Sequence, residues 1–160
     1  MRFLPGLLLL LPLLSAPAHA ELIDDVNDRG ELRIALEANT PPYNFKEGEK
    51  LTGFEVELGE LLAKEMDVRS SFITTDDADL LNGVATGKYD VALNHIAMTA
   101  ELEDQFDFSA AYHQTPELVI PFQKGNPAFK SSLDNALKRV KDDGRLKALE
   151  HKWFEGNAPQ

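Results

Sequence analysis

The chain has 160 residues, with 16 lysines and arginines against 27 aspartates and glutamates, a net charge of −11. A surface that acidic repels a phosphate backbone, and no basic stripe with interleaved aromatics is present, so nucleic acid is excluded as a partner. The absence of cysteine removes disulfides, thiolate nucleophiles and sulfur-ligated metals.

The first twenty residues place Arg2 before an apolar run from Leu7 to Leu14 and close on Ala18-His19-Ala20, the pattern of a secretory signal peptide cleaved after Ala20. The run is too short to span a bilayer and contains Pro12. Without it, 15 basic residues face 27 acidic ones, a net charge of −12. Residues 21–160 suit one domain with a real core.

Leu22 to Val26 reads as a short helix stopping at Arg29-Gly30, and Glu31 to Leu36 as a first strand, interior to its sheet. Pro41-Pro42 then enforces an extended loop that presents Tyr43 and Phe45 at the strand's carboxyl end. These two aromatics are either the wall of a cleft or anchors packed on the core. Thr52-Gly53-Phe54-Glu55 has capping-box spacing, and Phe54, Leu58, Leu61, Leu62 and Met66 form the apolar face of a helix whose Glu55, Glu57, Glu60 and Lys64 are expected in water.

Val68 to Thr74 is the second strand, and Asp76, Asp77 and Asp79 open the next helix, as acids favour a helix amino terminus. They do not fit a calcium loop. Gly87 stops that helix and Asp90 to Leu93 is the third strand, so strand-helix-strand-helix-strand predicts a mostly parallel sheet. Asn126-Pro127 starts a helix carrying Phe129, Leu133, Ala136, Leu137 and Val140. Asp142-Asp143-Gly144 breaks it before a last helix with Leu146, Leu149, Trp153 and Phe154, ending at Gly156.

Four stretches carry a resemblance: Gly53-Phe54-Glu55-Val56-Glu57-Leu58; Gly87-Lys88-Tyr89-Asp90; Thr99-Ala100-Glu101 with Phe106-Asp107-Phe108-Ser109; and Asp143-Gly144 with Lys152-Trp153-Phe154. Together they resemble the first lobe of the periplasmic amino-acid-binding proteins, the type II (family 3) solute-binding receptors of ABC transporters. The resemblance implies a three-layer α/β/α single lobe, a mostly parallel sheet flanked by helices. It also implies that a second lobe is missing between about residues 113 and 117, where Gln114-Thr115-Pro116 runs straight into the return strand.

Laid on the family pattern, Leu102 takes the place of the arginine that grips a ligand carboxylate, Ala97 that of a small hydroxyl residue, and His95 that of a glycine or serine. Leucine cannot reproduce the bidentate fork of a guanidinium, so free amino acids are expected to bind poorly, and a cationic or apolar solute is the better expectation. The expected binding residues are Tyr43, Phe45, Asn94, His95, Ala97, Thr99 and Leu102.

No nucleophile elbow, Walker loop or dinucleotide fingerprint occurs, and His95, His113 and His151 lack metal-ligand spacing. No enzyme, cofactor or metal is therefore expected, and a lone imidazole such as His95 is more often structural than chemical. The expected partner is a small solute, with an ABC permease or another periplasmic protein as a second partner. The alternative is a protein-interaction module that has lost amino-acid binding. A homodimer is expected through the face a second lobe would cover, where Tyr43, Phe45, Ile96 and Tyr112 would form an exposed apolar patch.

Overall fold

The computed structural model describes residues 2–3, 5–6 and 21–155. The signal-peptide expectation and the stop at Gly156 therefore lie mainly outside the described residues. Among these residues no helix is long and apolar enough to cross a membrane.

Helix α1 (Leu22–Arg29) ends on Gly30, whose φ of 69° is the left-handed cap that glycine takes without penalty. Strand β1 (Glu31–Leu36) follows, then a three-stranded antiparallel ribbon of β2 (Asn39–Thr40), β3 (Asn44–Glu47) and β4 (Lys50–Thr52). The extended loop expected at Pro41-Pro42 through Phe45 is thus part of a ribbon. Two of the three strands are too short to show a two-residue periodicity.

Helix α2 (Phe54–Glu65), β5 (Arg69–Thr74), α3 (Asp77–Ala85) and β6 (Val91–Ala92) complete the parallel unit. The chain then forms α4 (Ala100–Glu103), β7 (Phe106–Phe108), β8 (His113–Gln114), β9 (Glu117–Leu118), β10 (Pro121–Gln123), α5 (Pro127–Asp142), α6 (Arg145–Glu150) and a π-helical turn, His151–Glu155. The main sheet runs β5-β1-β6-β10-β7. β1 is parallel to β5 and β6, whereas β10 is antiparallel to both its neighbours. The expected architecture stands as a mixed sheet flanked by helices, with β1 interior.

Strand alternation divides the core in two. Leu32, Ile34, Val91 and Leu93 face α1, α2, α5 and α6, where they meet Phe54, Leu58, Leu62, Phe129, Leu133 and Leu137. Ala35 and Ala92 point the other way, toward Leu80 and Val84 of α3, Tyr89, Phe106 and Phe108. Asp76 caps α3 by accepting from the Asp79 amide at 2.8 Å, in the helix-start role expected of these acids.

The capping box expected at Thr52 and Glu55 is not formed. Gly53 is the cap residue of α2, with φ 127° and no side-chain cap. The orphan amides of Phe54 and Glu55 donate instead to the carbonyls of Pro42 and Tyr43, at 2.9 and 2.8 Å. A β-carbon at position 53 would lie 2.4 Å from the Tyr43 carbonyl oxygen, so glycine is what lets the ribbon seat on the helix end. Glu55, expected in water, is fully buried.

Candidate functional site

The carboxyl ends of β1 and β6 lie side by side, and side chains continue their ladder where the backbone bonds stop. Leu93 N–H donates to the Ala35 carbonyl at 3.0 Å. One residue further, Glu37 N–H donates to Asn94 Oδ1 at 3.1 Å, and Asn94 Nδ2 returns a bond to Glu37 Oε2 at 2.9 Å. Both chains then turn through left-handed residues, Ala38 at φ 63° and His95 at φ 45°. Such a backbone costs a side-chain-bearing residue about 1 kcal/mol or more. Each turn has a compensating bond: Ala38 N–H donates to Asn44 Oδ1 at 2.7 Å, and His95 N–H donates to Glu55 Oε2.

Glu55 is the hub. Asn44 Nδ2 donates to its Oε1 at 2.9 Å, His95 Nδ1 lies 3.2 Å from the same oxygen, and the Tyr112 hydroxyl donates to Oε2. Asn44 and Glu55 have no exposure and Asn94 has 6%. Among the described residues no lysine or arginine enters the network. A buried carboxylate is tolerable here because each lone-pair direction has a partner. Burial first, and the neighbouring Glu55 second, hold the Tyr112 phenol well above its usual range, so it remains a donor. Burial and then Glu55 also raise Tyr43.

Above the network lies an aromatic layer. Tyr43 packs on His95 with ring centroids 4.9 Å apart and on Phe154 at 5.4 Å, His113 stacks on Phe154 at 4.9 Å, and Trp153 meets Phe45 edge-on at 6.0 Å. The π-helical turn thus covers the aromatics of the ribbon. Tyr43, Phe45 and Ile96 are half-buried and Tyr112 is 1% exposed, which corrects the expectation that these four form an exposed apolar patch. Their cover comes from the chain's own carboxyl-terminal turn and from the Ile96–Val119 bridge.

The seven expected site residues separate into two groups. Tyr43, Asn94 and His95 come together at the strand ends, and Phe45 lies beside them under Trp153. Ala97 and Thr99 are exposed on the segment that leaves the site, where Thr99 Oγ1 caps α4 by accepting from Leu102 N–H at 3.2 Å. Leu102 is half-buried against the α3-side core. Sequence reasoning missed Asn44, Glu55, Glu37 and Tyr112. An exposed helical stripe and a buried hub look alike for Glu55, because its position was read by helical period alone.

Two cavities lie away from the strand ends. One of about 640 Å³, lined by Glu60, Lys64, Asp67 and Arg69 among others, sits at the amino ends of β1 and β5. Another of about 370 Å³ lies beside Met98, Phe108 and Lys130. Three atoms at the strand-end site have no hydrogen-bond partner from the described residues and are not buried: Glu37 Oε1, His95 Nε2 and the Tyr43 hydroxyl.

Comparison with known proteins places this geometry. The L-cystine-binding protein TcyJ of Escherichia coli K12 is 36% identical over 141 residues, covering 88% of this chain and 52% of the relative. The L-cystine-binding protein TcyA of Bacillus subtilis is 29% identical over 116 residues, covering 71% and 42%. The chain thus spans about half the length of the curated relatives it matches. Among solved structures, an ancestral cationic amino acid solute-binding protein, AncCDT-1, superposes with a TM-score of 0.78 at 20% identity, covering 83% of this chain and 99% of that one. The arginine-bound form of domain 1 from TmArgBP gives 0.69 at 24% identity, covering 72% and 98%. These two likenesses establish the fold. The profile of the bacterial extracellular solute-binding proteins, family 3, matches residues 32–156, from β1 through the π-helical turn, and the chain belongs to that family.

Proposed function

We propose that the chain is an exported solute-binding module of the transporter-receptor type, holding a small solute non-catalytically at the carboxyl ends of β1 and β6. The observation that carries this reading is the set of Tyr43, Asn94 and His95 held at those ends by the buried Glu55. Carboxyl ends of strands are where open α/β sheets bind ligands. Relatives named for binding cystine, and one named for binding arginine, support an amino-acid-type solute or a near chemical relative.

In this reading Tyr43 and His95 supply contact surface, Asn94 and Glu37 supply hydrogen bonds, and Phe45, Ala97, Thr99 and Leu102 frame the site. The His113–Leu118 hairpin, closed by Thr115 and Pro116, stands where a second lobe would be inserted. A single lobe cannot close over its solute, so affinity is weak unless a permease, another periplasmic protein or a second copy completes the site. Export with cleavage after Ala20, and delivery to an ABC permease, belong to the same reading.

Calorimetry with the exported chain against a panel of amino acids, amines and small apolar solutes tests it, with Trp153 fluorescence as a second signal. Binding that is lost in His95→Ala is expected. Absence of heat with every solute, together with capture of a periplasmic protein by the same face, would replace it with the protein-interaction reading.

A further inference from the structure

We infer that the strand-end site takes a small organic cation lacking a free carboxylate, such as an alkylamine or a guanidine, rather than a zwitterionic amino acid. This inference rests on the site reading just given. It starts from how charge is distributed between the two ends of one sheet.

The loops that close the carboxyl ends, 37–43, 75–77, 94–99 and 109–120, contain no lysine or arginine. They hold Glu37, Asp76, Asp77 and Glu117. The ammonium groups that reach this end from the carboxyl-terminal helices are engaged: Lys130 donates to the Phe108 carbonyl at 2.8 Å, Lys141 to the Ala111 carbonyl, and Lys152 pairs with Glu57 at 2.6 Å. Arg29 before β1, Arg33 early in it, Arg69 at the start of β5 and Lys88 before β6 lie at the other end, while the ribbon that leaves β1 at this end carries Lys46 and Lys50 beside Glu47 and Glu49, all four exposed. A solute approaching the site therefore meets a negative rim, and a carboxylate there finds no cationic partner on the loops.

Hydrogen-bond polarity points the same way, independently of charge counting. Glu37 uses Oε2 for Asn94 and leaves Oε1 accessible. His95 Nδ1 lies 3.2 Å from Glu55 Oε1, which turns its Nε2 outward. Asn94 Oδ1, beneath them, is already filled by Glu37 N–H and Asn44 Nδ2. Of the outward atoms, Glu37 Oε1 is the one that accepts only, so the site's fixed preference is for a donor. An ammonium or guanidinium is donor-only, and the faces of Tyr43 and His95 beside it suit a cation's weakly hydrated flank.

The test uses matched pairs that differ only in the carboxylate: arginine against agmatine and lysine against cadaverine, titrated into the exported chain at low and high salt. The decarboxylated partner is expected to bind about tenfold tighter or more, with affinity falling as salt rises. Glu37→Gln keeps an acceptor for Asn94 and is expected to erase most of that preference, whereas Glu49→Gln on the ribbon tip leaves it intact. A thermal melt confirms that each variant is folded. Equal or tighter binding of the parent amino acids, or a preference unchanged in Glu37→Gln, overturns the inference while leaving a solute site in place. No binding by amines and amino acids alike overturns both the inference and the site reading beneath it.

Discussion

Among the described residues two carboxylates are fully buried, Asp90 at the amino end of β6 and Glu55 beneath the strand-end site, and they are held in different ways. Asp90 is matched by charge. Arg29 and Arg33 both pair with it, Arg33 reaching Oδ1 at 3.0 Å, and Arg33 N–H adds a bond at 2.7 Å. Glu55 accepts from Asn44, the His95 backbone and Tyr112 with the His95 ring beside it, and from no lysine or arginine among the described residues. A neutralised carboxylate ties the fold together and has nothing left to offer a solute. One held by the hydrogen bonds of the site residues instead fixes which His95 nitrogen faces outward.

Removing Asp90 gives the largest effect in that comparison. Asp90→Ala leaves two guanidiniums without their anion, and breaking a buried pair costs about 3–5 kcal/mol; since both arginines keep partial access to water, the lower half of that range is expected. Urea unfolding measures it. Solute affinity in the folded fraction should stay within twofold of the parent, and a large loss of affinity would break the contrast between the two ends.

Glu55→Gln comes next. An amide has one acceptor oxygen where the carboxylate has two, and its NH₂ must face a pair of existing donors. The Tyr112 hydroxyl can rotate and His95 can exchange tautomers, but the His95 backbone N–H cannot adapt, and Asn44 is locked by the bond from Ala38 N–H. A buried donor left unpaired costs about 1–3 kcal/mol. The Glu55 effect should be smaller in unfolding than that of Asp90 and larger in binding. The same size of loss in both assays for both variants would mean that the two carboxylates serve one structural role.

The two ends also differ in how far they could be read from the sequence. The period of 3.6 in Leu58, Leu62 and Met66 and the strand-helix alternation gave the layers, because burying an apolar stripe has few solutions. The Lys88-Tyr89-Asp90 turn announced a strand start. The site was legible only in part. Tyr43, Asn94 and His95 stand next to prolines or at a strand end, where a reader looks for function. Asn44 and Glu55 do not, since a polar residue on a helix face reads as solvent-facing until the ribbon is seen to fold over it. The ribbon itself depends on Gly53 and on carbonyls of Pro42 and Tyr43, which leave no signature in side-chain pattern.

His95→Asn has a still smaller effect on stability. Asparagine tolerates the left-handed φ of 45° better than most residues, so what is lost is the ring contact with Tyr43 and one bond to Glu55, about 1 kcal/mol in all. Calorimetric affinity for the solute should fall far more than the melting temperature does. A parallel loss in both would mark His95 as a packing residue and leave Glu55 without a partner facing the solute.

The smallest effect belongs to a third carboxylate, Glu65, at the carboxyl end of α2, where its charge opposes the helix dipole. Two guanidiniums answer it from neighbouring helices: Arg139 of α5 donates from Nε at 2.8 Å, and Arg145 of α6 lies 2.7 Å from the other oxygen. The hydrogen bonds of Arg139 first and Arg145 second hold the Glu65 carboxyl below its ordinary value of 4.5. A carboxyl lowered in the folded state binds fewer protons there than in the unfolded chain. Its contribution is therefore fully present above the ordinary value and is lost as pH falls through the folded value. Glu65→Gln should melt slightly below the parent at pH 7, and the gap should close as both are titrated below pH 4.5. Because the pair is exposed and screened, the gap should also narrow in high salt. A gap that widens on acidification would reverse the sign and show that Glu65 is strained by the helix end rather than relieved by the arginines.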